Sequence, residues 1–312
     1  MSLELYQIFP LKLREKLAGI DFIREGYTEL RFRCNGPVTF LRGREEYFLH
    51  NQGGITREQE KAHFISVNEI REMMEYISNF SIYAYEEELK QGFLTIQGGH
   101  RVGLCGKVVI QEGNIRTMRN ISFLNIRLAR EKKGCAKTVM PLLFEGERLC
   151  HTLIVSPPGL GKTTLLRDMI REVSNGSKER RGKKVGVIDE RSELGACYYG
   201  VPQNDLGSRT DVLDGCPKTL GIEMLLRSMS PEVIAVDELG GEGEIKLIEK
   251  SIYCGCSILA TVHGEDKNQW FFEGGKQKGI ELFERYIFLK QGQHPGVIEA
   301  ICNRNGEEVI LI

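Results

Sequence analysis

The sequence predicts an α/β protein in two parts. The C-terminal part is a mostly parallel sheet with helices on both faces, and a smaller α+β domain precedes it. Three observations predict this. From residue 151 onward, short apolar runs alternate with amphipathic helix-length segments, the order that builds a parallel sheet. Before that point, alternating stretches meet at Asn-Gly and Gly-Gly turns, the order of hairpins and meanders. Charge divides in the same way: residues 1–140 carry 21 Lys and Arg against 17 Asp and Glu, a net +4, and residues 141–312 carry 21 against 26, a net −5.

In the first part, "ELRFRCNGPVTFL" alternates around Asn35-Gly36 and reads as a hairpin. "SVNEIREMMEYISN" reads as a helix opened by Ser66 or Asn68. "FLTIQGGHRVGLCGKVVIQEGNIRTMRNISFLNIRLAR" reads as a meander turning at "GGH" and "EGN". The polar patch "REKKGCAK" then leads into the second part, so the domains are 1–135 and 136–312. There the expected strands are "HTLIVS", "KVGVID", "EVIAVD", "SILATVH" and "RYIFL", with "GVIEAICNRNGEEVILI" as a closing hairpin. "SNGSKERRGKK" is a solvated charged loop.

Composition narrows the classes. A net charge of −1 over 312 residues excludes a protein that binds polyanions by bulk electrostatics. Apolar runs stay far below the ~18 residues of a spanning helix. In "MSLELYQIFPLKLREKL", charge and Pro10 interrupt any signal-peptide core. Nine cysteines without a C-x-x-C pair, "YCGCS" included, fit no common zinc spacing and read as reduced, mostly buried thiols of a cytosolic protein.

The chemistry starts at "HTLIVSPPGLGKTTLLRD", close to the phosphate-binding pattern G-x-x-x-x-G-K-[ST]. Ser156 stands where the first glycine belongs. The context still fits. "HTLIV" is a buried-strand run, and Leu165, Leu166, Met169, Ile170 and Val173 form one helical stripe after the loop. Loop N–H groups and a helix N-terminus together make an anion site. Gly159 and Gly161 supply the positions where a Cβ would obstruct, and a small residue serves at the strand exit. The ATP-binding loop is therefore Ser156, Pro157, Pro158, Gly159, Leu160, Gly161, Lys162, Thr163 and Thr164. Lys162 is expected on the β- and γ-phosphates, and the Thr163 hydroxyl on Mg²⁺.

About 75 residues later, "PEVIAVDELGG" runs four apolar residues into Asp237 and Glu238. A strand delivers both carboxylates to its C-terminal end, where open α/β sheets bind ligands. Asp237 fits the Mg²⁺-orienting carboxylate and Glu238 the base that polarises water. A surface Asp-Glu pair ending a strand is the plain alternative, and the P-loop upstream argues against it. The next strand ends at Thr261 and His263, placed to sense the γ-phosphate. Together these features predict a RecA-like P-loop ATPase domain. There is no N-K-x-D guanine-reading motif.

Four stretches, "VIDERSELGA", "DVLDGCPKT", "LLRSMSPEVIAVDELG" and "ATVHG", resemble the stage III sporulation protein AA family of endospore-forming bacteria. More distantly they resemble the ATPases of type II and type IV secretion and pilus systems. "ELRFRCNGPV", "GHRVGLCGKVV" and "SFLNIRLARE" extend the resemblance to the first part. It implies an acidic box at Asp189 and Glu190 and a histidine box at His263, although the proline that secretion ATPases usually carry after the acidic box is absent. It also implies arginines of the first domain closing onto the nucleotide, for which Arg127 and Arg130 are the candidates. The family further implies a motor, cytoplasmic in the mother cell, that energises a channel at the membrane around the forespore. Its implied partners are integral-membrane subunits, with the motor itself a hexameric ring.

Two rival readings come from other classes. A nucleic-acid-dependent ATPase is favoured by residues 101–133, with eight Lys and Arg against two Glu. Against it, Phe123 is the one aromatic there, and no R-x-x-x-H helical module follows. A nucleotide-binding regulatory subunit that barely turns over is disfavoured by Glu238. Nucleic acid is therefore not an expected partner.

Overall fold

The computed structural model describes residues 3–81, 85–265, 267–272, 280–292 and 295–309. The chain forms two compact units, Met1–Arg130 and Glu131–Ile312.

The first unit opens with helices α1 (Leu3–Gln7) and α2 (Leu11–Leu17) and strands β1 (Glu29–Arg33), β2 (Thr39–Arg42), β3 (Glu45–Leu49) and β4 (Ile55–Thr56). Helices α3 (Val67–Ile77) and α4 (Glu86–Gln91) follow, then β5 (Phe93–Ile96), β6 (His100–Gln111) and β7 (Asn114–Arg127). The seven strands make one antiparallel sheet in the order β4-β3-β2-β1-β7-β6-β5. Its pleat sorts the side chains. In β1, Leu30 and Phe32 turn into the core with Leu13, Leu17, Ile70 and Met73, while Glu29, Arg31 and Arg33 lie on the other face. Asn35 takes the left-handed conformation in the expected turn, with φ +59°. Ser66 caps α3 in a reciprocal capping box with Glu69.

The second unit begins with a small ribbon, β8 (Phe144–Glu145) and β9 (Arg148–Leu149). Next come β10 (Thr152–Ser156), α5 (Lys162–Asn175), β11 (Val185–Asp189), β12 (Thr210–Asp214), α6 (Lys218–Ser228), β13 (Val233–Val236) and α7 (Glu242–Tyr253). The last elements are β14 (Ser257–His263), α8 (Lys267–Phe272), β15 (Arg285–Leu289) and β16 (Ile298–Cys302). Strands β10 to β16 form one sheet in the order β12-β11-β13-β14-β10-β15-β16, parallel except where β16 closes on β15. Strands buried on both faces explain the unbroken apolar runs. Leu165, Met169 and Val173 of α5 pack on one face, and Ile222, Leu225 and Ile248 of α6 and α7 on the other.

Strand β12 is absent from the sequence-based list of strands. It is an edge strand whose residues, Thr-Asp-Val-Leu-Asp, are at most half-buried, so it lacks the apolar run that marks its neighbours. The closing hairpin is short, with Asn303 N–H donating to Glu307 and Val309 N–H to Ile301, through residue 309. All nine cysteines are free thiols, but only Cys150, Cys197, Cys256 and Cys302 are buried. Cys105 and Cys254 are exposed, so "mostly buried" overstated their burial. No helix among the described residues is long and apolar enough to cross a membrane.

Candidate active site

Strand β10 is flanked by β14 and β15, and β13 lies one strand beyond β14. Parallel pairing brings the C-terminal ends of β10, β13 and β14 to one edge, with Ser156 in register with His263. Ser156 is fully buried and donates its hydroxyl to the Pro157 carbonyl at 3.0 Å. A small side chain thus suffices at this exit, without the glycine.

The loop that follows needs its other two glycines. Gly159 and Gly161 have φ of +80° and +96°, conformations that L side chains resist. At Gly161 a Cβ would come within 2.5 Å of the Gly296 nitrogen, which donates to the Leu160 carbonyl at 2.6 Å. Leu160 packs against the α5-side core. Pro157 is half-buried and Pro158 exposed. Lys162, Thr163 and Thr164 then form the first turn of α5, and no side chain caps it. That turn's N–H groups are the kind that bind anions.

Lys162 is buried, and its ammonium donates to the Ser156 carbonyl at 3.0 Å, the Pro157 carbonyl at 3.3 Å and His263 Nδ1 at 3.0 Å. All three acceptors are neutral. Burial pushes its pKa down, against the fields of Glu238 and Asp237. A buried cation hydrogen-bonded to neutral acceptors fits an anionic ligand.

Asp237, just past β13, accepts the Thr163 hydroxyl on Oδ2 and the Thr261 hydroxyl on Oδ1, both at 3.2 Å. Burial, then the carboxylates of Glu193 and Asp189, push its pKa up, and the two hydroxyls pull the other way. A buried carboxylate beside a hydroxyl is the kind of hard-oxygen set that Mg²⁺ takes.

Glu238 sits in the left-handed region at φ +32°, a strain held by its N–H bonds to Thr261 Oγ1 at 3.1 Å and Asp237 Oδ1 at 3.2 Å. Its Oε1 lies 3.0 Å from His263 Nε2 and its Oε2 3.3 Å from Arg191 Nη1. Lys162, Thr163, Asp237, Glu238, Thr261 and His263 therefore form one connected cluster.

The two acidic-box residues separate. Asp189 is buried at the end of β11, and its oxygens accept the N–H groups of Glu193 and Gly195, each at 2.8 Å. Burial pushes its pKa up against those bonds. It closes the 190–195 turn. Glu190 turns to Lys218 of α6, at 2.6 Å.

Three residues at this edge went unnoticed in the sequence. Arg167 of α5 is half-buried and donates to the carbonyls of Leu194 at 2.9 Å and Glu193 at 2.6 Å, fastening the same turn. Glu193 adds to the field on Asp237. Arg191 meets Glu238. The visible signal was a charge-rich stretch, "DERSE", directly after a strand. Arg127 and Arg130 belong to the first unit. Arg127 is exposed at the end of β7, directly opposite Arg101. Arg130 donates to the Tyr27 carbonyl at 2.8 Å.

Comparison with known proteins agrees with this architecture. The pilus retraction motor PilT with bound ADP superposes with a TM-score of 0.56 at 14% identity, over 92% of this chain and 78% of that one. The ATPase DotB of Legionella pneumophila gives 0.53 at 14% identity, over 85% and 73%. At such identities the likeness is one of fold, the RecA-like P-loop fold. A curated relative, stage III sporulation protein AA of Bacillus subtilis (strain 168), is 40% identical over 306 residues, 97% of this chain and 95% of its own. The family model "Sporulation stage III, protein AA" matches residues 2–309. With both units covered by that match, the chain belongs to the sporulation stage III, protein AA family.

Proposed function

We propose that the chain is a Mg²⁺-dependent ATP hydrolase that works as a motor. The observation that carries this is the buried Lys162 ammonium, held by neutral acceptors one imidazole away from Glu238. Lys162 binds the β- and γ-phosphates, with the α5 N–H groups and the glycine loop around them. Thr163 and Asp237 hold Mg²⁺, which supplies charge neutralisation at the phosphates. Glu238 orients water and accepts its proton, and His263 reports the γ-phosphate to Glu238. Asp189 and Glu190 support the site through the turn they anchor, and Arg127 brings positive charge from the first unit.

Family membership and the likeness to PilT and DotB support a role in endospore formation. In this reading a hexameric ring in the mother cell docks on integral-membrane subunits and energises a channel to the forespore.

A second reading, a nucleic-acid-dependent ATPase, gains from one observation. On the outer face of the first unit's sheet, Arg33 faces Phe123 and Arg101 faces Arg127, with Phe93 one strand away. Sheets that stack bases combine aromatics and cations in this way. ATPase activity measured with and without single-stranded nucleic acid separates the two. The motor reading expects the same rate in both. Stimulation by nucleic acid would replace it with the second.

A further inference from the structure

We infer that the groove at the C-terminal end of α5 is a docking site for a peptide segment of a partner protein, one that carries an Asp or Glu beside large apolar residues. Lys162 stands at the opposite end of α5, about 20 Å away along its 14 residues. An occupant of the groove therefore leaves the nucleotide cluster open, and its binding does not depend on hydrolysis.

The groove encloses about 200 Å³. Met140, Pro141 and Phe144 line it from the segment before β10, Val173 and Arg180 from α5 and the turn after it, and Lys137 adds a second cation. Both sides are held in place. The Leu143 carbonyl accepts the Cys150 N–H at 2.8 Å, and the Leu142 carbonyl accepts Arg285 Nε at 3.0 Å. In the turn, the Ser177 N–H donates to the Arg180 carbonyl at 2.8 Å, and the Ser177 hydroxyl accepts the N–H groups of Glu179 and Arg180, both at 3.2 Å. Gly176 has φ +73°, and a Cβ there would come within 2.4 Å of the Gly182 nitrogen. Walls fixed in this way keep the ordering cost of binding low.

The charge of this corner runs against that of its surroundings. Residues 177–184, "SKERRGKK", hold five Lys and Arg against one Glu, inside the stretch 141–312 whose net charge is −5. Two lining residues are paired, Arg181 with Glu232 and Glu172 with Arg171. Without them the lining carries Lys137 and Arg180 against Glu179, a net +1. Arg180 departs from a solvated loop residue. It is half-buried, its Cζ lies 4.7 Å from the centroid of the Phe144 ring, and no carboxylate pairs with it among the described residues. A guanidinium over an aromatic ring still has in-plane N–H groups to offer a carboxylate.

Size and composition select the occupant. The volume lies below the roughly 300–1,000 Å³ of cofactor sites, so it takes a few side chains rather than a whole cofactor. Met140, Pro141, Phe144 and Val173 call for apolar side chains, and the net positive charge calls for an acid beside them. Nucleic acid fits poorly, because the one aromatic ring in the lining already carries Arg180. An acidic, apolar peptide segment meets all of these conditions.

The test is selection of short random peptides, displayed on phage, against the full-length chain. Fluorescence anisotropy then measures the selected peptides on the wild-type protein, Arg180→Ala, Arg180→Lys and Lys137→Glu. The selected sequences should place Asp or Glu next to Leu, Phe or Met. Their affinity should fall ~10-fold or more in Arg180→Ala and in Lys137→Glu, and recover in part in Arg180→Lys, which has the charge without the fork. Melting temperatures should stay near that of the wild type, since neither change touches the core. Peptides that bind both variants as tightly as the wild type overturn the inference, as do selected peptides without an acid or a selection that yields none. Arg180-dependent sedimentation with phosphatidylglycerol vesicles, in place of peptide binding, would assign the corner to a lipid surface and also overturn it.

Discussion

The imidazole of His263 lies 3.0 Å from the Glu238 carboxylate, Nε2 to Oε1, and its other nitrogen lies 3.0 Å from the Lys162 ammonium. One imidazole thus joins the residue proposed to grip phosphate to the one proposed to activate water. With Nδ1 accepting from Lys162, the ring proton is on Nε2 and points at Glu238. Any ligand that pulls Lys162 off Nδ1 changes what His263 offers to Glu238. On the proposed roles, phosphate binding at Lys162 is felt at Glu238 through this ring.

The two ends of that bridge have separable roles. Lys162→Ala is expected to abolish binding of ATP and ADP. Glu238→Gln is expected to keep nucleotide binding and lower the hydrolysis rate by ~10² to 10⁴. Equilibrium binding and steady-state hydrolysis on both variants check this. Wild-type turnover by Glu238→Gln would move the base elsewhere.

Asp189 tests whether a carboxylate at a strand end is chemistry or scaffold. Its oxygens each hold a backbone N–H of the 193–195 turn, the Glu193 one partly buried and the Gly195 one buried. Asp189→Ala strands both donors, a cost of ~2–4 kcal/mol, which lowers the melting temperature by roughly 5–15 °C. Asp189→Asn, keeping one acceptor oxygen, loses about half of that. Thermal unfolding reads both. An Asp189→Ala protein with wild-type melting but no ATPase activity would make Asp189 a catalytic group.

The far edge of the sheet carries a pH dependence. Glu284, just before β15, accepts the Arg148 fork at 2.7 and 2.9 Å and the His151 N–H at 2.9 Å. Burial works against its charge, but these bonds outweigh burial and hold its pKa down at about 2. A depressed carboxylate pKa stabilises the fold above the unfolded value of ~4.3, and that contribution is lost as pH falls toward the folded value. Denaturant unfolding between pH 6 and pH 2.5 should show the second unit weakening below about pH 4.5. Glu284→Gln should be less stable at pH 6 and lose less on acidification. Parallel curves for the two proteins would rule Glu284 out as the source.

Much of the site was legible because its parts are local in sequence. Lys162 and Thr163 follow a buried strand, and Asp237 and Glu238 end another, so the apolar runs announce where each side chain emerges. Sheet order brought them together, and the parallel pattern predicted that too. Tertiary partners were hidden. Nothing in "DERSE" says that Asp189 turns back on its own loop while Arg191 reaches Glu238, since both follow from how the turn closes. Strand β12 was missed because an edge strand needs no apolar run. Among the arginines, spacing could not tell Arg127 from Arg130. Both are exposed, and the structure separates them in that Arg130 donates to the Tyr27 carbonyl.

That difference sharpens the expectation for arginines acting between subunits. Arg127 lies directly across from Arg101 on neighbouring strands. On its other side Arg127 is in register with Glu29, whose carboxylate offsets part of the repulsion between the two arginines. Mg-ATP, the ligand proposed for the second unit, carries a net negative charge to which exposed arginines are complementary. In a ring with head-to-tail interfaces, the arginine of one subunit serves the nucleotide of the next. Arg127→Ala should therefore lower kcat by ~10³ with its own Lys162 intact, while Arg130→Ala, which removes a bond to Tyr27, should act mainly on stability. Mixing Arg127→Ala protein with Lys162→Ala protein in equal amounts leaves ~25% of interfaces with both groups intact, so ATPase activity should return toward that level. A mixture as inactive as its components would place the arginine's action within one chain or remove it altogether, and a fully active Arg127→Ala protein would leave the pair without a part in hydrolysis.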